Sequence, residues 1–153
     1  AFLNKIIDPL LKVIDDKAIG LDYGCGPTRI MSELLSKYNI KCEAYDPYFN
    51  PDIPRKSYDF LIASEVVEHF HFPHIEFRKM IALLNDGGYL AIMTELWNET
   101  KDLANWHYIR DITHVSFYNQ ITMQYLGKLY GLSLIYSDNE RVLIFQKVSH
   151  DMS

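Results

Sequence analysis

Two stretches of this chain hold residue types at spacings that could do chemistry. The first is Glu65-Val66-Val67-Glu68-His69. Its carboxylates and imidazole stand at i, i+3 and i+4, and on one helical turn they would project from one face. Carboxylate oxygens with imidazole nitrogens make a mixed set suited to Mn²⁺, Fe²⁺ or Zn²⁺, or to Mg²⁺ where water completes the shell. Without a metal, the imidazole is a candidate general base. The second stretch is Asp22-Tyr23-Gly24-Cys25-Gly26-Pro27. A short apolar run ends there in an acid, and glycines follow at every second position. A buried strand running into such a turn and then a helix is a ligand-binding device. Glycines let backbone N–H groups approach a ligand, and the helix start favours negative charge. A dinucleotide fingerprint needs a third glycine where this chain has Arg29, so a pyrophosphate is not the favoured ligand. Thr28 is expected to cap the helix that follows.

These groups need elements to position them. Phe2, Leu3, Ile6, Ile7, Leu10, Leu11 and Ile14 recur at helical spacing, and Asp8-Pro9 is expected to split or kink that run. The first strand and glycine turn follow. Ile30, Met31, Leu34, Leu35 and Tyr38 mark a helix face that stops near Asn39. Residues 41–45 read as a second strand ending at Asp46, and residues 47–54 are too rich in proline for helix or strand. A third strand at 58–63 runs into Ser64-Glu65. A helix from 73 to 84 should stop at Asn85-Asp86-Gly87-Gly88, before a fourth strand at 89–94. Residues 95–118 sustain no period and are crowded with Trp97, Trp106, His107, Tyr108, Arg110, Asp111 and His114. So long and aromatic a loop reads as an insertion that shapes a substrate site. Asn119 should cap a helix ending at Gly131, and two strands then flank an Asp138-Asn139 hairpin turn.

Strands alternating with helices imply an α/β fold: a doubly wound, Rossmann-like, mostly parallel sheet covered on both faces. The closing hairpin must add an antiparallel strand. Ligands of such sheets bind outside the carboxyl ends of the strands. Asp22, the glycine turn, Asp46, Ser64, Glu65 and Glu95 all fall at such ends. Asp46 stands where an acid can accept both hydroxyls of a ribose.

Length and composition bound the rest. The chain has 153 residues, 48% of them hydrophobic, and a net charge of −5. That is one domain, residues 1–153, with enough apolar content for a real core. The acidic balance argues against nonspecific binding to nucleic acid. No apolar run approaches the ~20 residues of a membrane span. Cys25 and Cys42 belong to opposite ends of neighbouring strands, too far apart for a disulfide. Two free thiols point to a reducing, cytoplasmic location.

Asp22-Tyr23-Gly24-Cys25-Gly26 resembles the first motif of the class I S-adenosylmethionine (SAM) methyltransferases, and the resemblance runs from residue 17 onward. It implies a cofactor site made of named residues. The loop Tyr23, Gly24, Cys25 and Gly26 would hold the amino-acid end, with Asp22 bonding to its amine directly or indirectly. Asp46 matches the ribose-binding acid. Pro47, Tyr48 and Phe49 are candidates to pack on the adenine, with Ser64 and Glu65 alongside. The family has a helix, a strand and a helix where this chain has only a proline loop. Six strands are therefore expected, with residues 47–56 rebuilding one edge of the pocket. The side chain that reads adenine in many members falls in the missing region.

Glu65-Val66-Val67-Glu68-His69 resembles the E-V-x-E-H segment of a subset that includes ubiquinone-biosynthesis O-methyltransferases and small-RNA 2′-O-methyltransferases. The pattern W-x-Y-x-x-D-x-T-H-V, from Trp106 to Val115, is similar to bacterial methyltransferase-domain proteins. The resemblance implies that His114 returns to the site, giving Glu65, Glu68, His69 and His114 as metal ligands, and His69, Asp111 and His114 as catalytic residues. The expected reaction moves a methyl group from SAM to a hydroxyl of a small-molecule acceptor, with neither membrane nor nucleic acid as partner. The alternatives are a SAM-binding module without catalysis, such as a regulatory subunit, and RNA 2′-O-methylation, which the acidic balance disfavours.

Overall fold

The structure, a computed structural model, describes residues 2–98, 106 and 114–148. Its elements are α1 (Asn4–Leu11), β1 (Ile19–Tyr23), α2 (Ile30–Ser36), β2 (Lys41–Tyr45), β3 (Tyr58–Ser64), a 3₁₀ turn (Val67–His69), α3 (Pro73–Ala82), β4 (Leu84–Met93), α4 (Gln120–Leu129), β5 (Leu132–Ser137) and β6 (Val142–Lys147). They build one six-stranded sheet in the order β2-β1-β3-β4-β6-β5. β1 to β4 are parallel neighbours, β6 runs antiparallel to β4, and β5 antiparallel to β6. The six-stranded, mostly parallel sheet with an antiparallel C-terminal hairpin is the one the sequence implied.

Alternation along each strand divides the core into two layers. Ile6, Ile7 and Leu10 of α1 and Met31 and Leu35 of α2 pack with Phe60 and Ile62 on one face. Phe77 and Met80 of α3 and Met123 of α4 pack with Leu61, Leu90 and Phe145 on the other. Helix α1 runs through Pro9 without splitting. Gly20 is set by this packing, because a Cβ there would stand 2.1 Å from the Phe60 ring. Both cysteines are free, and Cys42 pairs with Gly20 in register, at the far end of β1 from Cys25.

Two local expectations are corrected. Asn85-Asp86-Gly87-Gly88 does not precede the fourth strand but lies inside β4, as a bulge between the pairs Tyr58↔Leu84 and Phe60↔Tyr89. Gly87 takes φ +79°, and Gly88 packs so tightly that a Cβ would meet the carbonyls of Asn85 and Asp59 at 2.8 and 2.9 Å. The extra residues bulge without ending the pairing. Thr28 does not cap α2. The residue before that helix is Arg29, no side chain bonds its first turn, and the Thr28 carbonyl accepts from Ile30 N–H. Asn119 does cap α4, accepting from Thr122 N–H at 2.7 Å.

The short β2–β3 connection is held by charge and hydrogen bonds. Glu43 accepts from Tyr58 Oη at 2.7 Å and from Arg55 Nε at 3.2 Å. Ile53 packs on the core. The proline loop thus packs on the core through Ile53 and is tied to β2 through Glu43.

The closing hairpin turns on Asp138, whose Oδ1 accepts N–H bonds from Glu140, Arg141 and Val142 at 2.8–2.9 Å. Burial opposes its ionisation, yet those donors and the Arg141 charge hold its carboxyl below the usual range. Asp138→Ala is expected to cost about 1–2 kcal/mol, because it strips the acceptor from three donors at once. A depressed folded pKa contributes stability above the ordinary carboxylate range and loses it as pH falls through the folded value. Thermal melts across that acid range should therefore show a shallower decline for Asp138→Ala than for the parent.

Candidate active site

The carboxyl ends of β1, β2 and β3 open into a cavity of about 860 Å³, within the usual range for small-molecule sites. Of the residues singled out in the sequence, Tyr23, Gly24, Asp46, Pro47, Tyr48, Glu65 and His69 line it. Asp22, Cys25, Gly26, Ser64, Glu68 and His114 are not among its lining residues, and Asp111 lies outside the described residues.

The glycine turn is tied to β2 by its own donors. Gly24 and Cys25 N–H both donate to the Tyr45 carbonyl, at 2.7 and 2.8 Å. Gly26 N–H donates to Asp46 Oδ2 at 3.0 Å. These N–H groups therefore hold the turn in place, where the sequence suggested that they face a ligand. Gly24 keeps its role by geometry: its φ is +93°, and a Cβ would stand 2.5 Å from Val66 Cγ2 on the cavity wall. Only glycine fits that cradle.

Asp46 is buried and busy. Its Oδ1 accepts Tyr48 and Phe49 N–H at 2.9 and 3.2 Å, besides the bond from Gly26 to Oδ2. A carboxylate offers about four acceptor sites. Three are engaged by the loop's own N–H groups. Behind the turn, Asp22 is 5% exposed. Burial first, and the charge of Asp46 second, push its carboxyl up to about 7. Burial first, and then the Asp22 and Asp46 carboxylates, also raise the Cys25 thiol.

The acidic–histidine stretch folds differently from one helical turn. Glu65 takes φ +55°, a left-handed backbone, while its N–H still donates to Met93 O at 2.7 Å. Only residues 67–69 form a 3₁₀ turn. The chain leaves the sheet at Glu65 in that left-handed conformation, and Glu65 and His69 both line the cavity. Glu68 is fully buried. Its carbonyl accepts Val115 and Ser116 N–H at 2.8 and 2.9 Å, Ser116 Oγ donates to Phe70 O at 2.6 Å, and Tyr118 Oη donates to Val67 O at 3.0 Å. These bonds lay residues 114–118 along the turn. The rings of His69 and His114 consequently sit 4.9 Å apart, edge to face. One ligand atom each from Glu68, His69 and His114 lie within 4.8 Å of one another, a donor set of one oxygen and two nitrogens that fits a divalent cation. Glu65 is not in that group. Glu95 is turned to other work, accepting from Trp106 Nε1 and pairing with Arg141 at 3.6 Å.

Several cavity residues carried no signal in the sequence. Tyr45, Val66, Phe70, Phe72, Glu76 and Lys79 line it. So does His71, which reads as an ordinary surface histidine. Only the nearness of residues 70–72 to the acidic–histidine stretch could have pointed to them.

The model of the methyltransferase-domain family matches residues 1–137. Among curated protein sequences none matches this chain. Solved structures share its fold at low identity. A SAM-dependent methyltransferase from Archaeoglobus fulgidus superimposes with a TM-score of 0.69 and 16% identity, over 95% of this chain and 93% of that one. One from Methanosarcina mazei gives 0.65 and 15%, over 92% and 97%. The 1,6-didemethyltoxoflavin-N1-methyltransferase of Burkholderia thailandensis, solved with bound 1,6-didemethyltoxoflavin and S-adenosylhomocysteine, gives 0.70 and 14%, over 95% and 76%. The chain belongs to the methyltransferase-domain family. It is a SAM-dependent methyltransferase of the Rossmann-like class. No helix among the described residues is long and apolar enough to cross a membrane.

Proposed function

We propose that this domain methylates a hydroxyl group of a small-molecule acceptor. The observation that carries this reading is the convergence of Glu68, His69 and His114 beside a cavity that also contains Gly24 and Asp46. Gly24 and Tyr23 would border the amino-acid end of SAM, with Asp22 as the partner of its amine. Asp46 would take a ribose hydroxyl, and Pro47, Tyr48 and Glu65 would flank the rest. Cys25, Gly26 and Ser64 shape the wall from behind. Bound SAM supplies a methyl group on a sulfonium, ready for in-line displacement. The protein then has to align the acceptor and take its proton. Glu68, His69 and His114 would hold a divalent cation, whose chemistry there is to lower the pKa of the acceptor hydroxyl. Residues 95–118, with Asp111 among them, would form the acceptor side of the pocket.

Calorimetry with SAM and S-adenosylhomocysteine, followed by turnover on a panel of hydroxylated small molecules, tests the reading. Binding of both, and methylation of at least one hydroxyl, is the expected result. Binding without any turnover would leave a cofactor-binding module. No binding of either at about millimolar concentration would overturn the cofactor itself.

A further inference from the structure

The residues that follow β4 are tied to two other parts of the chain. Thr94 N–H donates to Arg141 O at 2.9 Å and Leu96 N–H to Glu140 O at 2.8 Å, both on the closing hairpin. Trp97 N–H donates to Tyr118 O at 2.9 Å, in the segment that carries His114. Between these backbone ties stands Glu95. Its carboxylate accepts from Trp106 Nε1 and pairs with Arg141 at 3.6 Å. The Arg141 guanidinium in turn lies over the Phe2 ring, 5.1 Å from its centroid.

The Glu95 side chain is 12% exposed and Trp106 is 6% exposed. A carboxylate so far out of water is costly unless it is paired and hydrogen-bonded. Here the guanidinium offsets its charge and the indole N–H donates to it. An indole has a single donor, so this bond fixes which way the Trp106 ring lies. The fixed ring packs against Phe117, with centroids 5.9 Å apart at 57°. Phe117 is three residues beyond His114. The segment is therefore held through its backbone at 115 and 116, on the Glu68 carbonyl, and through a side chain at 117. Glu95 is not among the cavity-lining residues, so any effect on the chemistry must pass through others.

We propose that Glu95 is a positioning residue for His114, acting through Trp106 and Phe117, which rests on the reading above that His114 serves methyl transfer. The His114 ring meets that of His69 at 4.9 Å, and one ligand atom each from Glu68, His69 and His114 lie within 4.8 Å of one another. A small shift of residues 114–118 would open that group. Losing the acceptor at Glu95 leaves the buried indole N–H without this bond and frees the ring to turn away from Phe117. The arrangement ties the end of β4, the middle of the 95–118 segment and the histidine to one carboxylate.

The test asks whether the effect of Glu95 disappears once His114 is gone. Glu95→Ala should lower turnover at saturating SAM by about ten- to a hundredfold, the cost of a small misplacement of a reacting group. Affinity for S-adenosylhomocysteine should stay within about twofold of the parent's. In a His114→Ala background the same substitution should change turnover by less than about twofold, because its route to the chemistry is already lost. Glu95→Gln, which keeps an oxygen for the indole, should retain most of the parent's turnover. Trp106→Phe, which keeps a ring but no donor, should lose turnover as Glu95→Ala does, and it carries the comparison if Glu95→Ala does not fold by thermal melt. The NMR signals of the His114 imidazole, identified by their loss in His114→Ala, need no acceptor. They should move in Glu95→Ala and in Trp106→Phe, while those of His74 on α3 stay in place. An equal loss of turnover in the parent and His114→Ala backgrounds overturns the positioning role and leaves the SAM reading intact. So do His114 signals that neither Glu95→Ala nor Trp106→Phe moves. Turnover unaffected by His114→Ala overturns both readings.

Discussion

Replacing His114 with alanine is expected to lower turnover by about 10²–10⁴-fold, the range for losing a group that manages a proton in the transition state. Affinity for S-adenosylhomocysteine should change little, since His114 is not on the cavity wall that holds Gly24 and Asp46. His69→Ala should lower turnover to a similar degree, because its ring lies 4.9 Å from that of His114; His69 lines the cavity, so that variant is read by turnover and not by affinity. Glu68 is fully buried, so Glu68→Gln, which keeps its volume, is the informative variant there; Glu68→Ala would also open a cavity. Chelation separates the two ways these residues could act. If they hold a divalent cation, turnover should vanish in chelator and return with one of Mn²⁺, Fe²⁺, Zn²⁺ or Mg²⁺, and Glu68→Gln should weaken that recovery. Full activity in chelator, with the histidine variants still impaired, would remove the metal and leave a histidine base.

The second large effect is on pH. Asp22 stands at about 7 in the unliganded protein, raised by burial and by the charge of Asp46. If its ionised form pairs with the cofactor amine, affinity for S-adenosylhomocysteine should rise by about tenfold per pH unit below 7 and level off above it. Calorimetry across that interval reads the slope directly. Asp22→Asn should bind weakly with a flat profile, and Asp46→Asn should move the rise to lower pH by removing the neighbouring charge. Stability should run the opposite way. The folded pKa lies above the unfolded one, so the folded state binds the extra proton, and the unliganded domain loses stability as pH rises from the ordinary carboxylate range to about 7. Bound ligand should cancel that decline. A slope unchanged by Asp22→Asn would remove this residue from cofactor binding.

Much of the fold was legible because its signals are local. Alternating apolar strands, helical spacing and the Asn119 cap each act within a few residues. The ordered acids and glycines at strand ends pointed to the cavity, since a parallel sheet gathers those ends on one side. The family resemblance implied six strands, because only the 12 residues between Tyr45 and Tyr58 stand where the family has a helix, a strand and a helix.

The sequence could not say which donors were already committed. Asp22, Gly26 and Asp46 are visible as a motif, but only the packed structure shows Gly26 N–H spent on Asp46 and Asp22 raised by its neighbour's charge. Burial and spacing between carboxylates arise from chain segments many residues apart, and no local pattern encodes them. The same holds for the acidic–histidine stretch. Helical spacing grouped Glu65 with Glu68 and His69, yet Glu65 takes a left-handed backbone and is not among the clustered ligand atoms, while hydrogen bonds from residues 115 and 116 to the Glu68 carbonyl bring His114 in. The sequence by itself determined the fold class, the face that carries the site and the residue types available there. Tertiary structure alone decided which of them meet, because that depends on long-range hydrogen bonds and on where the chain reverses, neither of which is written in local periodicity.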